Sequence, residues 1–316
     1  MAISGDKQVS VFIITYNHEK FIGQCIDSIV SQQTNFDFEL VIGEDKSKDN
    51  TRAICEAYAA KYPAIIKLLP SDRNFGIIGN LDRTLQACHC KYIASCEGDD
   101  YWTDPRKLQK QFDLLESRPD LALCFSGAET IDEAGNTKDG IFPIPDKEVF
   151  TISDIILADR CFIPTATLFF RNVLPKPLPT FSHKIVSGDI MMHLLLTATG
   201  NAKAIPGHTA VYRWHDGGIT KTDQHKKEGD RQEFMLYEYA NEYLGYKYDK
   251  IFRERLLKMS KMKLVHGSRD IKGMARLKYV LKNVPDYFKY SKGINIKEIV
   301  YYTTLLFFPS LLRLKK

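Results

Sequence analysis

The chain lacks any uncharged run long enough to cross a bilayer. Ile299–Leu312 carries no charge, but its roughly 14 residues fall short of the roughly 20 that a spanning helix needs. An apolar signal-peptide core is missing from Met1–Lys7, so export is not expected. No C-x-x-C pair occurs among the 7 cysteines. In Cys88-His89-Cys90, neighbouring side chains diverge on either a helix or a strand. These thiols therefore read as buried apolar groups rather than zinc ligands. An odd cysteine count without an export signal fits a reducing cytosol. Internal repeats and low-complexity tracts are absent. Glycine is also missing from Thr15-Tyr16-Asn17-His18-Glu19, which argues against the glycine-rich, basic phosphate loop that nucleotidyltransferases place after their first strand.

Charge is present in quantity but divided unevenly. Residues 247–316 hold 18 Lys and Arg against 5 Asp and Glu, a balance of +13, and residues 1–246 hold 26 against 34, a balance of −8. A basic C-terminal part on an acidic body suggests contact with an anionic surface, either lipid or nucleic acid. The charge-free aromatic stretch Ile299–Leu312, flanked by Lys289, Lys292, Lys297, Arg313, Lys315 and Lys316, suits a lipid interface better than nucleic acid. Packing on the protein's own core or on a second copy of the chain is the alternative.

The most informative segment is Ser95-Cys-Glu-Gly-Asp-Asp-Tyr-Trp102. Glu97, Asp99 and Asp100 crowd behind a short apolar run. Like charges this close are unfavourable unless a cation neutralises them, and oxygen ligands at a strand end suit Mg²⁺ or Mn²⁺ beside a diphosphate. A solvated acidic loop is the alternative. Asp104 and Pro105 mark a helix start over 105–117.

Hydrophobic periodicity supplies the frame. Strands are expected at Val9–Thr15, Phe38–Ile42, Ile65–Leu69 and Lys91–Ala94, with helices over 19–33, 50–61 and 79–89 between them. This alternation predicts an α/β fold with a doubly wound, mostly parallel sheet flanked by helices. Ligands of such sheets bind beyond the carboxyl ends of the strands, where Thr15-Tyr16, Glu44-Asp45 and Glu97-Asp99-Asp100 fall. Further along, a strand is expected at Leu121–Ser126, loop over 127–150, a short helix at Thr151–Leu157 and a strand at Thr165–Arg171. A helix at Gly188–Thr199 and strands at Ala202–Ile205 and Thr209–Trp214 follow. Residues from about 228 to 290 read as helical.

In this order the motifs resemble family 2 glycosyltransferases of the GT-A fold. The matching residues are Val11–Asn17, Glu44–Thr51, Asn74-Phe75-Gly76 with Asn80, Glu97–Trp102, Gly188-Asp189 and Tyr212–His215. The family usually has Asp at the positions of Glu44 and Glu97, and Glu reaches one methylene further. The resemblance implies a GT-A domain at 1–225 and a helical basic region at 226–316. It also implies an inverting, metal-dependent hexosyltransferase-type enzyme that uses a nucleotide-sugar donor, a UDP-sugar first among them. A saccharide or lipid-linked saccharide would be the acceptor. The setting would be the cytoplasmic face of the membrane, in cell-surface polysaccharide or lipid-linked oligosaccharide synthesis. A nucleotidyltransferase and an inactive nucleotide-binding relative are the competing readings.

The same resemblance implies residue roles. Thr15, Tyr16, Asn17 and Asp45 line the nucleobase side, with Asn74 and Arg83 nearby. Asp99 and Asp100 hold Mg²⁺ or Mn²⁺ at the ribose–diphosphate region, and Glu97 either touches the metal or serves only the ribose side. Arg213 meets the diphosphate from a closing loop, and His215 either does the same or ligates the metal. Asp189, at a helix start that favours its ionised form, is the catalytic base. Trp102 is either an acceptor-site wall or core. His183, His193 and His208 are read as structural.

Overall fold

The computed structural model describes residues 7–138, 142, 146–218, 223–267 and 273–291. The Ile299–Leu312 stretch lies outside the described residues. Two compact units divide the chain at 236/237.

In the first unit, β-branched apolar runs form a parallel ladder. Strands β1 (Val9–Thr15), β2 (Phe38–Glu44), β3 (Ile66–Leu68) and β4 (Tyr92–Glu97) pair in the order β3-β2-β1-β4. Val9, Val11 and Ile13 on β1 are fully buried, as expected of a strand covered on both faces. Crossovers are made by α1 (Ile22–Val30), α2 (Thr51–Lys61) and α3 (Gly76–Gln86). On α1, Ile22, Cys25, Ile26 and Ile29 recur at helical spacing and are fully buried against the sheet. Truncating one of these isoleucines to Ala removes about 2–5 kcal/mol of stability.

Past β4 the sheet changes character. Strands β5 (Tyr101–Trp102), β6 (Leu121–Asp132), β7 (Thr137–Lys138), β8 (Val149–Phe150), β9 (Phe169–Arg171) and β10 (Asn201–Trp214) complete it. β9 runs antiparallel between β4 and β6, β10 runs parallel to β6, and the short β5, β7 and β8 pair antiparallel at its margins. Helices α4 (Lys107–Ser117), α5 (Ile152–Leu157) and α6 (Gly188–Thr197) flank this half. The expected mixed α/β sheet with helices on its faces is therefore present.

Several boundaries differ from expectation. β10 is one strand rather than two, and its ladder to β6 absorbs Pro206-Gly207 as an irregularity in register. β6 runs on through Gly127 to Asp132, where loop was expected, because β10 pairs with it throughout. Thr165–Thr167 form a 3-10 turn ahead of β9. α4 begins at Lys107, and Asp104 Oδ1 accepts the Arg106 N–H at 2.9 Å in the turn before it.

The region after β10 is helical, with α7 (Asp223–Tyr243), α8 (Asp249–Gly267) and α9 (Gly273–Tyr290). Within the second unit, Leu264, Val280 and Tyr287 form a small core between α8 and α9. No helix among the described residues is long and apolar enough to cross a membrane.

Candidate active site

Three adjacent strands end together. In register, Thr15 lies beside Glu44, and Ile14 beside both Gly43 and Glu97. Backbone bonds carry the pairing past the strand ends: the Asp45 N–H donates to the Thr15 carbonyl at 3.0 Å, and the Gly98 N–H to the Ile14 carbonyl at 3.1 Å. A side chain at position 98 would not fit, since a Cβ there would lie 2.3 Å from Thr15 Oγ1 and 2.6 Å from Thr15 Cβ. Gly98 thus lets the acidic loop fold directly onto the end of β1.

On the β2 side, Asp45 is 3% exposed and its Oδ1 accepts the Phe75 N–H at 2.6 Å. The Asn74 side-chain amide donates to the Asp45 carbonyl at 2.8 Å. Burial raises the Asp45 carboxyl above its usual range, opposed by the Phe75 N–H and the Arg83 charge. The Arg83 guanidinium donates to the carbonyls of Glu44 (2.6 Å) and Pro70 (2.5 Å) and to Asn80 Oδ1 (2.9 Å). It also lies 4.4 Å from the Phe75 ring centroid, so it braces the end of β2. Asn17 takes the left-handed backbone (φ 59°), a conformation its short amide tolerates. Its N–H donates to Ser47 Oγ at 2.9 Å, and its Oδ1 accepts the Lys48 N–H at 2.8 Å. Tyr16, at 37% exposed, presents its ring to solvent beside this loop.

On the β4 side the acidic residues take three different environments. Asp99 Oδ2 lies 2.9 Å from His215 Nε2 and 3.7 Å from His18 Nε2. Ligand-type atoms of His18, Asp99 and His215 all fall within 4.8 Å of one another. Burial works against the Asp99 charge, but the hydrogen bond from His215 and the charges of both imidazoles outweigh it and hold the carboxyl below its usual range. Burial lowers His18, with Asp99 opposing. Thr15 Oγ1, 3.2 Å from His18 Nδ1, orients that ring.

Glu97 is half-buried, and its buried Oε2 has no hydrogen-bond partner. Burial, with the charges of Asp99 and Asp189, pushes its carboxyl up to about 8. Asp100 is 2% exposed and accepts the Arg213 N–H at 2.9 Å on Oδ1, which clasps the acidic loop to β10. Burial, Asp99 and Glu97 raise its carboxyl well above the usual range. The clustered ligand set among the described residues thus joins Asp99 to His18 and His215, and Asp100 is not in it. Three carboxyls crowded into one loop, an orphaned Glu97 oxygen and two imidazoles flanking the Asp99 carboxylate fit a divalent cation, whose charge would favour the ionised carboxylates.

The Arg213 guanidinium sits between the rings of Phe21 (5.0 Å) and Tyr101 (4.8 Å) and donates to Gln24 Oε1. It is thereby fixed between α1 and β5. His215 follows β10, packs 5.0 Å from the Phe21 ring and is 5% exposed. Asp189 is half-buried in the first turn of α6, and its charge is felt by Glu97, His193 and Cys161. The start of α6 therefore lies within electrostatic reach of Glu97. His193 is a buried group whose Nδ1 lies 3.9 Å from Cys161 Sγ. Trp102 is 4% exposed, donates its indole N–H to the Ala166 carbonyl at 2.7 Å and belongs to the core.

Sequence reasoning passed over His18, Phe21 and Gln24. His18 carried a usable signal, lying three residues beyond Thr15 in a loop already assigned to the ligand end of the sheet. Phe21 and Gln24 carried none, because their partner Arg213 is nearly 190 positions away.

The sequence model described as Glycosyl transferase family 2 matches residues 10–176. An uncharacterised protein of Mycobacterium tuberculosis (strain H37Rv) is 34% identical over 226 residues, 72% of this chain and 63% of that protein. The chain thus spans less than two thirds of that relative. EpsE of Bacillus subtilis, named as a glycosyltransferase, is 36% identical over 132 residues, 42% of this chain and 46% of that protein. Among solved structures, residues 1–349 of S. aureus TarS in complex with UDP-GlcNAc superpose with a TM-score of 0.61 at 17% identity. That match covers 90% of this chain and 81% of the other. At that identity the likeness concerns the fold alone, and it bears out the GT-A architecture.

Proposed function

Since the chain belongs to glycosyl transferase family 2, we propose that it moves a sugar from a nucleoside-diphosphate donor to an acceptor hydroxyl with inversion at the anomeric carbon. The observation that carries this reading is the clustering of His18, Asp99 and His215 at the ends of strands that also carry Asp45. A UDP-sugar is the first donor to test, given that TarS was solved with UDP-GlcNAc on a similar fold.

Asp45, buried and fixed by the Phe75 N–H, accepts an N–H of the nucleobase, while Tyr16 offers an aromatic face to it. Thr15, Asn17, Asn74 and Arg83 hold that wall in place. Mg²⁺ or Mn²⁺, held by Asp99 with His215 and His18, would neutralise the leaving diphosphate. Arg213 and Asp100 lock β10 against the acidic loop, and Arg213 keeps a buried Nε without a partner at this edge of the site. Glu97, whose carboxyl feels the charges of Asp99 and Asp189, would face the donor. The Asp189 carboxylate takes the proton of the acceptor hydroxyl as its oxygen bonds to the anomeric carbon. The bond from that carbon to the diphosphate oxygen breaks on the opposite face.

The reading extends to a setting. A saccharide or lipid-linked saccharide would be the acceptor, in surface-polysaccharide or lipid-linked oligosaccharide synthesis on the cytoplasmic side of a membrane. The +13 balance of residues 247–316 supports peripheral contact with anionic lipid. Incubation with UDP-sugars and saccharide acceptors, with the product's anomeric configuration read by NMR, tests the reaction. A product of retained configuration, or nucleotide release with no transfer to any acceptor, would overturn it.

A further inference from the structure

We propose that the outward face of α9 is the surface on which this protein rests against a bilayer rich in anionic phospholipid. The inference rests on the membrane contact proposed above and names the surface that makes it.

The helix has two faces with opposite demands. Val280, Tyr287 and Tyr290 turn inward and are almost fully covered, and Val280 and Tyr287 share a core with Leu264 of α8. The need of α9 to bury apolar surface within its own unit is met by that side. On the other side, Met274, Leu281 and Phe288 are 67%, 61% and 44% exposed. They recur every seven residues, so at about 100° per residue they form one line along the helix. Lys278 and Lys282 are exposed and stand beside that line, whereas Lys289, also exposed, is held in an ion pair with Glu238 at 2.6 Å. The carboxylate of Asp286 is directed to Lys263, 3.4 Å away, and lies off this face.

An apolar line bordered by lysines is the pattern of a helix lying in a membrane interface. The apolar side chains enter the acyl boundary, and the lysine stems lie along it with their ammonium groups at the phosphate level. Charge selects the occupant. A second copy would bring the same lysines against these ones, whereas an anionic bilayer answers the +13 balance of residues 247–316.

The test is sedimentation of the full chain with vesicles of phosphatidylcholine alone or mixed equally with phosphatidylglycerol, with oligomeric state followed by analytical ultracentrifugation. The wild type should bind the mixed vesicles and be released by salt. Lys278→Gln and Lys282→Gln should each weaken partition about fivefold. The double variant Leu281→Glu/Phe288→Glu should weaken it about tenfold or more. Val173→Glu, at an exposed apolar site of the other unit, should leave it unchanged. All five positions are exposed, so helical content by circular dichroism should hold. Wild-type binding that survives every α9 substitution would overturn the assignment of this face while leaving membrane contact standing. No binding by the wild type would overturn both. A dimer that Leu281→Glu/Phe288→Glu converts to monomer, without loss of vesicle binding, would give the face to a second copy instead.

Discussion

His215 Nε2 lies 2.9 Å from Asp99 Oδ2, and this one contact joins the end of β10 to the acidic loop after β4 across 116 positions of sequence. His18 approaches the same oxygen from the end of β1. Replacing His215 with Ala should lower Mn²⁺ affinity about 10–100-fold, read by the free-ion signal in electron paramagnetic resonance. His18→Ala should lower it less, because its nitrogen stands further from Asp99. Mn²⁺ affinity equal to wild type in both variants would remove the histidines from the cation site.

Asp189→Asn preserves shape while removing the base. Turnover should fall about 10²–10⁴-fold with donor affinity unchanged, since Asp189 serves the acceptor. Steady-state kinetics with calorimetric donor binding separates the two. Near wild-type turnover would exclude Asp189 as the base.

Gly98→Ala forces a methyl group into Thr15. Thermal denaturation should show a loss of about 1–3 kcal/mol. The double variant Thr15→Gly/Gly98→Ala should recover part of it, because the offending atoms belong to Thr15. An unchanged midpoint in the single variant would mean that the loop is not seated on β1.

Lys107 is fully buried, donates to Gln111 Oε1 at 2.7 Å and lies 4.1 Å from the Trp102 ring centroid. Burial pushes its ammonium down to about 7 from 10.5. With the folded value below the unfolded one, the unfolded chain binds more protons between pH 7 and 10.5, so this group's contribution to stability improves as pH rises through that window. Its penalty is complete below about 7. Lys107→Met should therefore raise the unfolding midpoint at pH 6, and the gain should shrink steadily toward pH 10. A gain independent of pH, or a loss at pH 6, would show that the amine is comfortably charged beside Trp102.

The ladder β3-β2-β1-β4 was legible because each strand is a short apolar run bounded by polar turns, and that pattern is local. The positions of Asp45, Asp99 and Asp189 were legible for a related reason: a carboxylate at a strand end or helix start announces itself within a few residues. Other features are set by distant partners. Pro206-Gly207 has the composition of a break, yet β6 holds both flanks in one strand. Tyr101–Trp102 is too short to show a period and becomes a strand only by pairing with Ala210 and Val211. Asp100 resembled Asp99 in sequence, and only the β10 backbone separates them by taking one into a hydrogen bond.

Calorimetric titration of UDP, GDP and dTDP, each with and without Mn²⁺, into the wild type and into Asp99→Asn reads out the metal-dependent donor site. One nucleotide should bind the wild type tightly only when Mn²⁺ is present, and Asp99→Asn should lose that metal-dependent gain. Failure of all three nucleotides to bind, or equal binding with and without the metal, would contradict such a site.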